Sequence, residues 1–210
     1  MKRVYFLAGS ACGAAGLAGI QYLMKPRREP HLEPQIKEAE NTILRHGAPI
    51  STQLMIRQEY VVSHCRRTRN PEWAAEIISR NSLKGHEGDR SKSKFIADQS
   101  IPLSFRSKLA DYHNSGYDRG HMVPASDVRS SQSALDETFY LSNICPQDAV
   151  LNRAYWAHLE KFTRSLVSSF DDVLVYTGPL YLPKTVGEKA FVNYEVIGNT
   201  AVPTHFFKGI

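Results

Sequence analysis

Four consecutive residues, Asp118-Arg119-Gly120-His121, place an imidazole one glycine away from a guanidinium. An ordinary histidine titrates near pH 6.5, so the His121 ring is available as a neutral proton acceptor at physiological pH, and such a base works best when its pKa lies near the operating pH. A histidine that only donates and accepts structural hydrogen bonds is the plain alternative. Further along, Asn152, Trp156, Glu160 and Arg164 recur every four residues. On an α-helix each such step drifts only about 40°, so Asn152 and Glu160 project roughly the same way. The amide oxygen of Asn152 is a hard ligand of the kind Mg²⁺ accepts while keeping most of its waters; an asparagine at a helix start serves equally well as an N-cap. Glu160 and Arg164 either belong to the same site or form an exposed i,i+4 ion pair, and Trp156 falls on the apolar stripe as core. A base, a hydrated cation and arginine forks are what hydrolysis of a phosphodiester requires: a group to take a proton from water, positive charge on the phosphate, and help for the departing oxygen.

The elements that must carry these groups read as an α+β mixture. Tyr155, Trp156, Leu159, Phe162, Leu166 and Val167 recur at helical spacing and predict a helix over Asn152 to Ser169. Asp172 to Thr177 is apolar and β-branched, predicts a buried strand and stops at Gly178-Pro179; Phe191 to Ile197 and Ala201 to Phe207 predict two more. Asn70-Pro71-Glu72, followed by Trp73, Ile77 and Ile78, predicts a short helix or a strand-like bridge, and Asp89 to Phe105 is charged and irregular.

With 210 residues, 42% of them hydrophobic, there is enough apolar material for one buried core, so a disordered tail is excluded. Cys12, Cys65 and Cys145 form no CxxC pair, which excludes a zinc ribbon, a thioredoxin motif and a disulfide framework. The net charge of +5 comes from the start of the chain. Residues 1–28 hold five basic and no acidic side chains, and the remainder carries 21 of each sign. Any polyanion-binding surface must therefore be local. Within the leader, the uncharged run from Val4 to Met24 is just long enough to cross a bilayer, yet its small residues and basic flanks also suit a mitochondrial import segment. Residues 1–28 are accordingly expected to be a targeting or membrane-anchor segment. Residues 29–49 are expected to be a linker with one short helix near Ile36 to Arg45, and residues 50–210 the globular domain.

DRGH at 118–121, LSNICPQ at Leu141 to Gln147, the Asn152, Trp156, Glu160, Arg164 series, TGPLYLP from Thr177 and VPTHFFK from Val202 together resemble the ββα-metal family of DNA/RNA non-specific endonucleases, from about Tyr60 to Lys208. The resemblance implies a ββα-metal nuclease fold with a mixed or antiparallel central sheet. It implies His121 as general base, Arg119, Glu160 and Asn143 as supporting catalytic residues, Arg90 and Arg164 as phosphate-binding residues, and Asn152 as the ligand of Mg²⁺ (or Mn²⁺). From the residues alone, Asn143 is equally a turn residue before Pro146, and Arg119 equally a partner of Asp118. The resemblance further implies cleavage of DNA and RNA through their backbones to 5′-phosphate and 3′-hydroxyl ends, a homodimer, and a mitochondrial location in the inner membrane, through residues 4–24, or in the intermembrane space. Family members continue past the VPTHFFK segment, so the domain is expected to lack the family's C-terminal part. A truncated, catalytically silent, membrane-tethered adaptor is the competing expectation.

Overall fold

Val61 and Val62 are neighbours in the chain, point to opposite faces of an extended segment, and are both fully buried, so the sheet that holds them must be covered on both sides. In the computed structural model, which describes residues 32–85 and 87–210, helix α1 (Leu32–Ile43) leads into strands β1 (Leu54–Ile56), β2 (Tyr60–Cys65) and β3 (Asn70–Ser79). Two short helices, α2 (Arg80–Lys84) and α3 (Leu109–Tyr112), precede β4 (Asp118–His121); α4 (Gln132–Glu137), β5 (Ile144–Gln147) and α5 (Ala157–Ser165) follow. Beyond them lie β6 (Asp172–Leu180), the hairpin β7 (Lys184–Val186) and β8 (Lys189–Phe191), the pair β9 (Val196–Ile197) and β10 (Thr200–Ala201), and β11 (His205–Gly209).

The main sheet has the order β1-β2-β3-β6-β11, and every pairing in it is antiparallel. The strand period of two sorts its residues cleanly. Val62, Ala74 and Phe206 pack on one face with Met122, Val123 and Cys145, which flank and include parts of β4 and β5. Val61, Trp73, Ala75 and Phe207 pack on the other with Ile43 from α1, where the Trp73 and Tyr176 rings lie 5.6 Å apart. Each fully buried valine or methionine among them contributes roughly 1.5–3 kcal/mol, and each alanine less. The fold is thus α+β with an antiparallel central sheet, as expected.

Several elements differ in detail from the sequence reading. The Asn70 segment is a ten-residue strand in the middle of the sheet, because Ala74 and Ala75 fit between two neighbouring strands that bury both faces. Strand β6 runs through Gly178-Pro179 to Leu180, since β11 pairs alongside it there, Phe207 to Gly178 and Phe206 to Pro179. The two later strands each divide into shorter pieces, β8 and β9 in one case and β10 and β11 in the other. The short helix expected within residues 29–49 is α1, and its Ala39 and Ile43, with Leu44 just beyond it, pack onto the sheet. The anchor reading for residues 1–28 lies outside the described residues, apart from which no described helix is long and apolar enough to cross a membrane.

Candidate active site

Strands β4 and β5 form a separate two-stranded ribbon with Asp118 opposite Gln147 and His121 opposite Ile144. Its strands approach closely because Gly120 has no side chain: a Cβ there would come within 2.8 Å of the Gln147 Cβ. Asn143, at the start of the ribbon's return strand, is fully buried and uses its whole amide on backbone. Its Oδ1 accepts from the Val123 N–H at 3.0 Å, and its Nδ2 donates to the carbonyls of Val123 and Thr138, both at 2.9 Å. This fixes the chain just after His121. Replacing Asn143 by alanine strands three buried backbone groups, each worth about 1–3 kcal/mol when unsatisfied. A loss of about 3 kcal/mol or more in urea unfolding is expected.

The His121 ring lies against two aromatic rings, Phe139 edge-on at 5.0 Å and Phe95 at 5.4 Å. The same rings seat two guanidinium groups, with Arg119 4.4 Å from the centre of Phe95 and Arg90 5.8 Å from that of Phe139. Burial, and then the charges of Arg90 and Arg119, push His121 down to about 3. The imidazole is therefore neutral, and its Nε2 is buried with no hydrogen-bond partner among the described residues.

Asn152 arrives from the helix that follows β5. That helix is capped by Asp148, whose Oδ1 accepts from the N–H groups of Val150 and Leu151, both at 2.9 Å. Asn152 is thus not the cap. It lies inside a π-helical turn, Leu151–Trp156, that continues into α5. A continuous α-helix would rotate Asn152 away from Glu160 by about 80° over eight residues; the wider turn advances less per residue and offsets part of that drift. The Asn152 Nδ2 donates to the Asp118 Oδ2 at 3.0 Å, while Arg153 closes a fork on the same carboxylate at 2.7 and 2.8 Å. These Arg153 contacts hold Asp118 below the usual carboxylate range. Because a carboxylate only accepts, it fixes which end of the amide faces it, and the Asn152 oxygen is left for another partner. Among the described residues no group of three His, Cys, Asp or Glu side chains converges as a metal cage. A single free amide oxygen suits a cation that keeps most of its own waters, so Mg²⁺ or Mn²⁺ fits this donor set.

These groups meet. Arg90, Arg119, His121, Asn152, Arg153 and Glu160 line one cleft of about 230 Å³. Burial pushes Glu160 up to about 7, partly opposed by Lys208 and reinforced by Asp127. Behind it, Glu76, Asp127 and Lys208 share the interior: burial raises both carboxyls and lowers the amine, whose Nζ donates to Thr177 Oγ1 at 2.6 Å. Arg164 sits with this group and does not line the cleft. Its guanidinium is tied to Asp127 at 2.7 Å and to Ser126 Oγ at 2.8 Å, and it forms no ion pair with Glu160. Five of the seven sequence-derived site residues therefore line the cleft, and Asn143 and Arg164 support it from behind. Sequence reasoning assigned no part to Arg153, Phe95 or Phe139, and offered Asp118 only as a partner of Arg119, whereas it pairs with Arg153. For Asp118 the signal was its place in DRGH; the aromatic pair carried none.

Residues 39–210 match the family described as DNA/RNA non-specific endonuclease. The chain is 53% identical over 161 residues to the mitochondrial nuclease of Saccharomyces cerevisiae, covering 74% of this chain and 49% of that protein. It is 46% identical over 169 residues to human mitochondrial endonuclease G, covering 79% and 57%. The crystal structure of EndoG in its complex with EndoGI superposes with a TM-score of 0.79 at 44% identity, covering 81% of this chain and 71% of that one. The chain spans about half the length of these two curated relatives.

Proposed function

Because the chain belongs to the DNA/RNA non-specific endonuclease family, we propose that it is a divalent-cation-dependent endonuclease that hydrolyses the phosphodiester bonds of DNA and RNA to 5′-phosphate and 3′-hydroxyl ends. The observation that carries this reading is the single cleft in which a neutral, unpartnered imidazole, an oriented amide oxygen and two exposed arginines face one another.

In this reading His121 takes the proton from the attacking water, with Phe95 and Phe139 fixing the plane of its ring. Arg119 and Arg90 bind the phosphoryl oxygens through their fixed forks of donors. Asn152 Oδ1 would hold Mg²⁺ or Mn²⁺, with Asp118 and Arg153 fixing its direction. A cation bound there supplies positive charge at the phosphate and acidifies the waters it carries. Glu160, when ionised, accepts hydrogen bonds from water in the same cleft. Arg164 holds Asp127 and the Ser126 side of the wall rather than the phosphate. None of these groups reads a base edge, which supports indifference to sequence and to the sugar. The names of the relatives support a mitochondrial location, and the assembled cleft supports an enzyme over a silent adaptor.

The test is cleavage of supercoiled plasmid and of a labelled RNA by the 210-residue chain. Both should be cut in Mg²⁺ or Mn²⁺, neither in EDTA, and the DNA ends should be ligatable without prior phosphorylation. Cutting that survives EDTA, or products with 3′-phosphate ends, would rule the reading out.

A further inference from the structure

The catalytic cleft continues past Arg90. A second hollow of about 270 Å³ shares Arg90, Ala125 and Ser126 with it and adds Gly85, Arg129 and Leu135. Among the described residues no acidic side chain lines it. Gly85 lies so close to the facing segment that a Cβ would come 2.6 Å from the Arg129 carbonyl oxygen, so the wall on that side is bare main chain. The Arg129 Nε donates to the Ser126 carbonyl at 2.8 Å, which anchors the guanidinium and leaves its two terminal nitrogens without a carboxylate. None of the ion pairs among the described residues engages Arg90 or Arg129. Of the neighbouring carboxylates, Asp89 accepts from the Ser91 N–H and pairs with Lys92, Glu59 accepts from Ser130 Oγ, and the exposed Glu87 does not line the hollow.

An uncommitted guanidinium anchored at its Nε, in an acid-free hollow continuous with a phosphate cleft, is matched by one ligand chemistry, a phosphodiester oxyanion. We propose that this hollow holds a phosphate flanking the scissile one, with Arg129 as its ligand, so that one polynucleotide strand lies from the catalytic cleft across Arg90 to Arg129. The inference rests on the nuclease reading above. Such a contact sets the register of the strand and carries no base preference.

The test is fluorescence anisotropy with a labelled single strand about twelve nucleotides long, in EDTA to prevent cutting, across a range of salt. Arg129→Ala should weaken binding about tenfold at low salt and reduce the slope of log K against log salt by about 0.7, whatever the base sequence. Arg129→Lys should keep the slope. Arg66→Ala, an arginine that stacks on Phe105 and lines neither hollow, should leave both quantities unchanged. A melt accompanies each variant; if Arg129→Ala is destabilised, Arg129→Gln, which keeps a donor for the Ser126 carbonyl, replaces it. An unaltered slope in the Arg129 variant, an equal loss in Arg66→Ala, or no oligonucleotide binding by the unmodified chain would overturn the proposal. The two readings part in the plasmid assay. A chain that binds through Arg129 but never nicks DNA defeats the nuclease reading alone; one that nicks DNA with no Arg129 effect defeats the flanking site alone.

Discussion

Replacing His121 by alanine should slow plasmid nicking by about 10²- to 10⁴-fold, the usual contribution of a positioned general base, with little change in KM. The pH dependence gives the sharper check. The free chain's imidazole is pushed down to about 3, so as pH falls from 8 to 5 the ring stays neutral and its protonation removes no activity. Glu160, held up to about 7, gains its proton in that same window. A fall in kcat/KM on the acid side, which reports the free chain, therefore belongs to the carboxyl, and Glu160→Gln should flatten it. A phosphodiester seated on Arg90 and Arg119 offsets the two charges that depress the ring, so His121 becomes a stronger base where substrate is bound. An alanine variant that nicks plasmid at the wild-type rate would remove His121 from the mechanism.

The second large effect is expected at Asn152. Its replacement by alanine removes the one oriented oxygen in the cleft; if it costs several kcal/mol of transition-state stabilisation, as loss of a metal ligand does, cleavage in Mg²⁺ should fall about 10³-fold. Calorimetric binding of Mn²⁺ should weaken with it. Asp118→Asn is the informative companion. The amide that replaces the carboxylate can face Asn152 with either end, so the oxygen loses its fixed direction and one partner of Arg153 loses its charge. A loss of about 10- to 100-fold, the range seen for groups that orient metal ligands, is expected for that variant. Unchanged Mn²⁺ affinity in Asn152→Ala would show that the cation, if bound, is held elsewhere.

How much of this was legible depends on whether the information was local. His121 and Arg119 share one short motif, and Asn152 and Glu160 share one helix, so their convergence follows from spacing. The direction of the Asn152 amide does not, because Asp118 lies 34 positions away and becomes its neighbour only when the ribbon folds against the helix. Arg164 shows the reverse. Its spacing from Glu160 is right for a pair, yet it turns to Asp127, a carboxylate 2% exposed that requires a cation far more than a half-buried one does. Phe95 and Phe139 read as ordinary apolar residues, and only the structure shows them seating one imidazole and two arginines. At Asn70–Ser79, proline, glutamate and two alanines speak weakly for a strand; the two flanking strands decide the matter.

The π-helical turn at Leu151–Trp156 absorbs one residue more than a regular helix would, and it does so between Asn152 and Glu160. An α-helix would span it with one residue fewer, in the more favourable hydrogen-bonding pattern. Tightening the turn to regular helix with every residue kept would swing Asn152 by up to about 100° relative to Glu160, whereas deleting one residue between Arg153 and Trp156 would restore regular helix with the two side chains still on one face. The shortened chain is therefore expected to melt higher while Asn152 and Glu160 keep their common face.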